Sequence, residues 1–395
     1  MTIRLSSRVA QVKPSATIAM SMKAAELRAQ GRDIISLSMG EPDFDTPEHV
    51  RAAAIRAINE GQTRYTAVDG TPALKQAVID KLRRDNGLEY DPTQILVSNG
   101  AKQSIYNLLQ ATINEGDEVL IPAPYWVSYP DMVRLADGEP VILSTTPRTD
   151  YLITPNQLTA SITEQTRMLM LNSPSNPTGQ AYSRAQLEAL GQVLLEHPRI
   201  LICSDDIYEH IWWAKEPFLS IGKVVPALKE RLVVINGVSK GYAMTGWRIG
   251  YAAGPAKIIK EMRKVQGQST SNPCSISQAA AEAALSGDQG CVAEMCSAFR
   301  ERHDWLVPAL NAIPGVSCIA GKGAFYVFAD FSEAIEALEL NDDLALAEHL
   351  LEHAGVATVP GTAFGAPGHL RLSFACGLDT LQTAVERISD ALRAA

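Results

Sequence analysis

Three stretches decide the fold: RMLMLNSP (167–174), RILICSDD (199–206) and RLVVINGVSK (231–240). Each runs through an unbroken apolar core and then stops in polar residues: Asn172, Asp205 with Asp206, and Ser239 with Lys240. A short apolar run without alternation suits a strand buried on both faces, and the helix-compatible Ser183–Glu196 separates the first two. Working outward, ILVSNG (95–100), EVLIPAP (118–124), PVILST (140–145) and RIGYAAG (248–254) read the same way, with helical Gln103–Asn114 and Tyr129–Leu135 among them. Strands alternating with helices predict an α/β fold whose sheet is mostly parallel and covered on both sides.

Beyond this region the order changes. Helical Ala293–Asn311, strand-like GAFYVFADF (323–331), helical Asp343–Ala354, strand-like HLRLSF (369–374) and helical Thr380–Leu392 form an α+β pattern. A chain of 395 residues is long enough for two domains. We expect an N-terminal arm with part of the small domain over 1–45, a large α/β domain over 46–300 and a small C-terminal α+β domain over 301–395.

Composition excludes several classes. Hydrophobic residues make up 46% and charged residues 20%, so the chain can bury a sizeable core. The 44 acidic residues outnumber 35 basic ones, and no basic block occurs, which disfavours nucleic acid and anionic membrane as partners. No apolar run is long enough to span a bilayer. The six cysteines, 203, 274, 291, 296, 318 and 376, form no C-x-x-C pair, so a reducing, cytoplasmic setting is expected. Arg4, Arg8, Lys13 and Lys23 precede the first acidic residue, Glu26, which we read as a basic arm rather than a targeting segment.

Ligands of open α/β sheets gather at the carboxyl ends of the strands. Here those ends supply Asn99-Gly100-Ala101-Lys102, Pro124-Tyr125-Trp126, Asn172 to Asn176, Asp205-Asp206 and Ser239-Lys240. Gly100-Ala101-Lys102 ahead of a helix offers free backbone N–H groups to a phosphate. Neither a Walker A string nor G-x-G-x-x-G is present, so nucleotide chemistry is disfavoured. Lys240 among apolar and hydroxyl residues is a candidate for a desolvated, nucleophilic amine, although most single lysines are surface groups.

Three strings mimic other chemistries. Gly237-Val238-Ser239-Lys240-Gly241 matches the hydrolase elbow G-x-S-x-G, but the following sequence leaves little room for the helix that an elbow needs. His349-Leu-Leu-Glu-His353 matches H-x-x-E-H. Its histidines are expected on a solvated helix face opposite a stripe of Leu344, Ala347, Leu350 and Leu351, with no metal site. Ser220-Ile-Gly-Lys223 matches S-x-x-K without its companion motifs.

Taken together, SKGYAMTGWRIGY (239–251), Pro14-Ser-Ala-Thr17, GEPDFDTP (40–47), Tyr65, GAKQ (100–103), PYWVSY (124–129), NSPSNPTG (172–179), SDDIY (204–208) and Arg371-Leu-Ser closely resemble the class I aminotransferases. The resemblance spans nearly the whole chain and is similar above all to the bacterial and plastid aspartate or aspartate/prephenate branch. It implies a fold-type I architecture, pyridoxal 5′-phosphate as cofactor, and a homodimer with shared active sites. It also implies ping-pong transfer of an amino group from L-aspartate to 2-oxoglutarate, with amino acids and 2-oxo acids as substrates. Prephenate or aromatic substrates are the alternative. Outside that chemistry, the rivals are a hydrolase or a cofactor-binding regulator.

The resemblance also implies roles. Lys240 would hold the cofactor covalently and shuttle the proton between Cα and C4′. Asp205 would pair with the pyridine nitrogen, Tyr208 and Asn176 would reach the ring hydroxyl, and Trp126 would stack on the ring. Arg248, Ser239 and the backbone of Gly100, Ala101 and Lys102 would hold the phosphate, joined by Tyr65 from a neighbouring subunit. Gly40 and Arg371 would receive the substrate's α-carboxylate. Lys102 would receive the distal one, with Trp126, Asn176, Thr17 and Lys13 nearby. Two positions depart from the pattern: Gly237 stands where a phosphate-binding Ser is common, and Asp206 replaces a usual Glu and is expected to point away from the ring.

Overall fold

The structure, a computed structural model, describes residues 3, 5–12 and 14–393. Its main sheet has seven strands in the order 95–98, 250–253, 232–237, 201–205, 166–172, 118–123 and 139–144. Each coincides with an apolar run read from the sequence. Leu232–Gly237 and Ile95–Ser98 are buried at every position, as strands covered on both faces must be.

Alternate residues of these strands feed two separate cores. Val97, Leu120, Leu169, Ile202 and Val234 join one cluster. Their neighbours Leu96, Val119, Met168, Cys203 and Val233 join the other. The first is roofed by helices Pro72–Lys81, Arg184–Glu196 and Ser275–Ser286. The second is roofed by Ala101–Thr112, Tyr129–Leu135 and Ala256–Ser269. Helix Arg184–Glu196 starts with a capping box, in which Ser183 accepts from Gln186 N and the Gln186 side chain accepts from Ser183 N.

One strand runs against the rest. Gly250–Ala253 pairs antiparallel with both Ile95–Ser98 and Leu232–Gly237. Its N-terminal end therefore lies at the same edge as the carboxyl ends of the other six, which carries the preceding Arg248 to that edge. Gly237 pairs with Gly250 here, and a Cβ on Gly237 would lie 2.9 Å from Gly250 Cα. The strand crossing thus leaves no room for the Ser of the family pattern.

A second, antiparallel sheet has the order 359–360, 369–373, 326–330 and 317–318, and a short parallel pair joins Ile35–Ser36 to Val356–Ala357. A third core binds these strands to helices Ala16–Ala29, Gly290–Asn311 and Leu378–Arg393, through Met20, Phe299 and Leu381 among others. Helix Gly290–Asn311 runs through position 300 without a break. The helical segment from Asp343 becomes a π turn at Leu350–Ala354 and ends on left-handed Gly355. Helices Ala16–Ala29, Glu48–Asn59, Pro72–Lys81, Ala256–Ser269 and Ser275–Ser286 were not singled out by the sequence pattern. Among the described residues, no helix is long and apolar enough to cross a membrane. All six cysteines are free.

Candidate active site

Most of the predicted residues line one cavity of about 360 Å³ at the carboxyl edge of the main sheet. Thr17, Gly40, Ala101, Lys102, Trp126, Asn176, Asp205, Tyr208, Ser239, Lys240, Arg248 and Arg371 all face it. Gly100 stands directly behind, beside Arg248. Tyr65 is 92% exposed and does not line this chain's cavity. Lys13 lies outside the described residues.

Asp205 ends its strand with its side chain buried, and Tyr129 donates its hydroxyl to Oδ2 at 2.6 Å. Ile207 N donates to Oδ1, and Asn172 Nδ2 donates to the Asp205 carbonyl at 2.9 Å. Burial raises the Asp205 pKa to about 6, against the pull of the Tyr129 and Ile207 hydrogen bonds and the Lys240 charge. A carboxylate so placed gains from a cationic N–H partner in the cavity, which a protonated pyridine ring provides.

Lys240 donates from Nζ to the Gly40 carbonyl. Burial, then the charges of Arg371 and Arg248, lower its pKa to about 8. Far more of it is therefore the neutral, nucleophilic amine near neutral pH than of an ordinary lysine. Tyr208 is buried and its hydroxyl shares a hydrogen bond with the Tyr326 hydroxyl at 2.9 Å.

Lys102 is the second residue of the helix Ala101–Thr112, with Nζ 4.7 Å from the Trp126 ring centroid. Burial, followed by the Arg248 charge, lowers its pKa. Arg248 has left-handed backbone, with φ +56°, an unusual conformation for a residue with a side chain. Its guanidinium covers Gly100, where φ is +83° and any Cβ would collide with Nη2. Of the three backbone groups read from the sequence, Gly100 N already donates to Ser98 O at 2.8 Å. Ala101 N and Lys102 N at the helix start, with the Arg248 guanidinium and the glycine shaped to it, therefore make the cradle for a dianion.

Arg371 lies in the strand His369–Ser373 and is buried. Nη1 donates to Asn176 Oδ1 at 3.0 Å and Nη2 donates to the Ser38 carbonyl at 2.6 Å, while buried Nε has no partner. A buried guanidinium with an unused donor is fitted to an incoming carboxylate. The unused Arg371 Nε, the Gly100–Arg248 cradle and the lowered Lys240 amine together fit pyridoxal 5′-phosphate and an amino acid.

Several contributors were overlooked in the sequence. Tyr129 and Asn172 stand in the quoted motifs without a role, because a hydrogen bond between separate elements leaves no sequence spacing. Tyr326 comes from the other sheet, and nothing in its local sequence marks it. Glu41, which accepts from the Thr245 hydroxyl, also lines the cavity. Asp206 does not line it: its carboxylate accepts from Ser204 Oγ at 2.7 Å, turned away from the cavity as expected.

The mimicking strings dissolve in three dimensions. After Ser239 the chain turns through Gly241–Met244 into a 3₁₀ turn at Thr245–Trp247, so no elbow helix exists. The stripe on the Asp343 helix needs correction: Leu344 is 49% exposed, and His349 is half-buried with its ring 4.5 Å from that of His353. The helix packs by Leu346, Ala347, Leu350 and Leu351, which rotates the buried face away from Leu344. Among the described residues, no group of three or more His, Cys, Asp or Glu is placed to hold a metal ion.

Comparison with known proteins agrees with the geometry. Residues 32–388 match the family described as aminotransferase class I and II. The chain is 55% identical to the aspartate/prephenate aminotransferase of Nitrosomonas europaea, covering 99% of this chain and 100% of the relative. The aspartate aminotransferase of Rhizobium meliloti superimposes with a TM-score of 0.95 at 44% identity, over 99% of each chain. The Thermus thermophilus aspartate aminotransferase with maleate gives a TM-score of 0.93 at 44% identity, covering 99% of this chain and 100% of that one. This chain therefore belongs to the class I and II aminotransferases, has the fold-type I architecture, and is a pyridoxal-phosphate-dependent enzyme.

Proposed function

We propose that the enzyme moves the amino group of L-aspartate to 2-oxoglutarate. The observation that carries this reading is that Arg371 and Lys102 line the same cavity as Arg248, so two cations remain once Arg248 is assigned to the phosphate. A dicarboxylic amino acid needs two such anchors. The relative named for aspartate and prephenate, and the neighbour that holds maleate, support the same substrate class. Prephenate also carries a second carboxylate, so it is the acceptor to test beside 2-oxoglutarate.

When bound, pyridoxal phosphate supplies an electron-withdrawing ring that takes up the electron pair left at the substrate Cα. The chain's own groups do the rest. Lys240 is assigned to the covalent attachment of the cofactor and, once released, to moving the proton at Cα. Asp205 would favour the protonated ring nitrogen, Tyr208 and Asn176 would donate to the ring hydroxyl, and Trp126 would lie against the ring face. Arg248, Ser239 and the Ala101 and Lys102 backbone N–H groups would hold the phosphate. Arg371 and the Gly40 backbone would orient the α-carboxylate, with Thr17 on the N-terminal arm at the substrate end.

We assign the active unit to a homodimer in a reducing, cytoplasmic setting, in which Tyr65 of each subunit reaches its neighbour's phosphate site. Its high exposure in the single chain supports this. The division into 1–45, 46–300 and 301–395 is part of the same reading. Separate cores support two packing units, but helix Gly290–Asn311 crosses the 300/301 boundary, and its Met295 and Phe299 already belong to the core of the antiparallel sheet.

One assay tests the assignment. kcat/KM is measured for a panel of amino donors against 2-oxoglutarate, oxaloacetate and prephenate. Aspartate should lead the donors, with parallel double-reciprocal lines. A panel led by alanine or an aromatic donor would sink it.

A further inference from the structure

Next to Tyr208 in sequence, but outside the cavity, lies a group of buried charges that the reading above does not use. Lys81 is fully buried and Glu209 is 5% exposed, and the two form an ion pair. Lys81 belongs to the helix Pro72–Lys81, which continues as Leu82–Asn86. Its Nζ also donates to Asn86 Oδ1 at 2.7 Å, and Asn86 Nδ2 donates to Glu209 Oε2. Asn236 Nδ2 donates to Glu209 Oε1 at 2.7 Å, and Asn236 Oδ1 accepts from Gly237 N at the same distance. At the rim of the group, His210 Nε2 lies 3.2 Å from Asp85 Oδ2, which is 3.8 Å from Lys81 Nζ.

The connectivity gives the cluster its meaning. Glu209 directly follows Tyr208 and shares a segment with Asp205. Asn236 is the penultimate residue of the strand Leu232–Gly237, which leads through Ser239 to Lys240. One carboxylate therefore ties both segments to a third element, the Pro72–Asn86 helix. None of Lys81, Glu209 or Asn236 lines the cavity. Burial raises the Glu209 pKa, but Lys81, His210 and the hydrogen-bond donors overcome it, so the carboxylate stays charged.

Stability alone is a weak reason for such a cluster. Withdrawing each ion from water costs several kcal/mol, and apolar replacements of whole buried pairs are often neutral or stabilising. Directional hydrogen bonds that join three separate segments, however, have no apolar substitute. We propose that Lys81, Glu209 and Asn236 are positioning residues, which hold the Tyr208 and Lys240 segments in register across the cavity. The inference rests on the assignment of those two residues to the cofactor.

The test uses the full-length holoenzyme and two variants. Lys81→Met/Glu209→Gln removes both charges at nearly constant volume. Asn236→Ala cuts the link to the Lys240 strand and leaves the ion pair intact. For each, the apo Tm, the cofactor Kd, the pH midpoint of the bound cofactor's visible band, and kcat and KM are measured. Positioning predicts that kcat falls about tenfold or more and the band midpoint moves, while KM for the amino donor stays within about threefold. These changes should persist where Tm remains near that of the parent. Parent-like kcat and band midpoint in Asn236→Ala overturn the proposal, and so do parent-like values in the double variant. If the double variant does not fold, Asn236→Ala decides by the same readouts. A parent enzyme without the visible band would overturn the cofactor assignment and this inference together. A parent band that the variants leave unmoved overturns the positioning cluster alone.

Discussion

Tyr129 donates its hydroxyl to Asp205 Oδ2 at 2.6 Å, with both side chains buried at the sheet's carboxyl edge. Tyr129 opens the helix Tyr129–Leu135, which follows the strand Glu118–Ala123, and Asp205 ends a strand two places away in the sheet. The bond holds a carboxylate in a site where burial opposes its charge. The consequences of that opposition are measurable.

Asp205→Asn should stabilise the apoprotein and cripple the holoenzyme. The folded pKa of about 6 lies above the ordinary 3.8, so the native apo state holds this proton more tightly than the unfolded chain. The group's stabilising contribution is complete below about 4 and is lost as pH rises through about 6. Above pH 7 the variant should therefore melt higher than the parent, by up to about 3 kcal/mol in stability, and at pH 4 the difference should vanish. Turnover should fall more than about tenfold, because an amide no longer favours a pyridinium. An N-methylated cofactor, which carries a fixed charge, should restore part of it. Melting curves that coincide at pH 8 would mean that the buried carboxylate carries no strain.

Lys240→Ala should abolish transamination while the cofactor still binds without a covalent bond. Loss of general acid–base work alone costs about 10²–10⁴-fold. The parent apoprotein should capture the cofactor faster as pH rises, levelling off above about 8, where the Lys240 amine is largely neutral. A rate still climbing at pH 10 would mark an ordinary surface-like lysine. Near-parental kcat in the variant would remove Lys240 from the mechanism.

Gly100→Ala should weaken cofactor binding more than it weakens the fold. The new Cβ would displace the Arg248 guanidinium, which can swing away, and the extended positive-φ backbone at Gly100, a conformation nearly exclusive to glycine, would add about 1–3 kcal/mol of strain. A rise in cofactor Kd of about tenfold or more is expected in a reconstitution titration, since a charge-assisted contact is worth about 1.5–3 kcal/mol. An unchanged Kd would show that Arg248 does not depend on the glycine to reach the phosphate.

Lys102→Ser should lower kcat/KM for aspartate by roughly 10–150-fold and spare alanine, the difference expected from one charge-assisted hydrogen bond. Lys102 is desolvated beside Trp126 and near Arg248, so an incoming carboxylate relieves its charge. Prephenate should suffer alongside aspartate. Equal losses for aspartate and alanine would assign Lys102 to the phosphate, and the dicarboxylate reading would fall.

Local sequence determined the strands of the main sheet and the residues at their ends. An unbroken apolar run such as Leu232–Ile235 has one comfortable place, the middle of a covered sheet, and the polar residue that stops it must then lie at the rim. Lys240, Asp205 and Asn172 were legible for that reason, and the motif agreement added Arg248 and Arg371. Tertiary structure alone decided the direction of Gly250–Ala253, because an apolar run has no polarity of its own, and that reversal puts Arg248 over Gly100. It also decided the partners of the buried polar groups: Tyr129 for Asp205, Tyr326 for Tyr208, and Lys81 and Asn236 for Glu209. These pairs join residues distant in sequence, and a hydrogen bond between two such groups leaves no periodicity in either segment. Only the packing that brings their backbones together selects them.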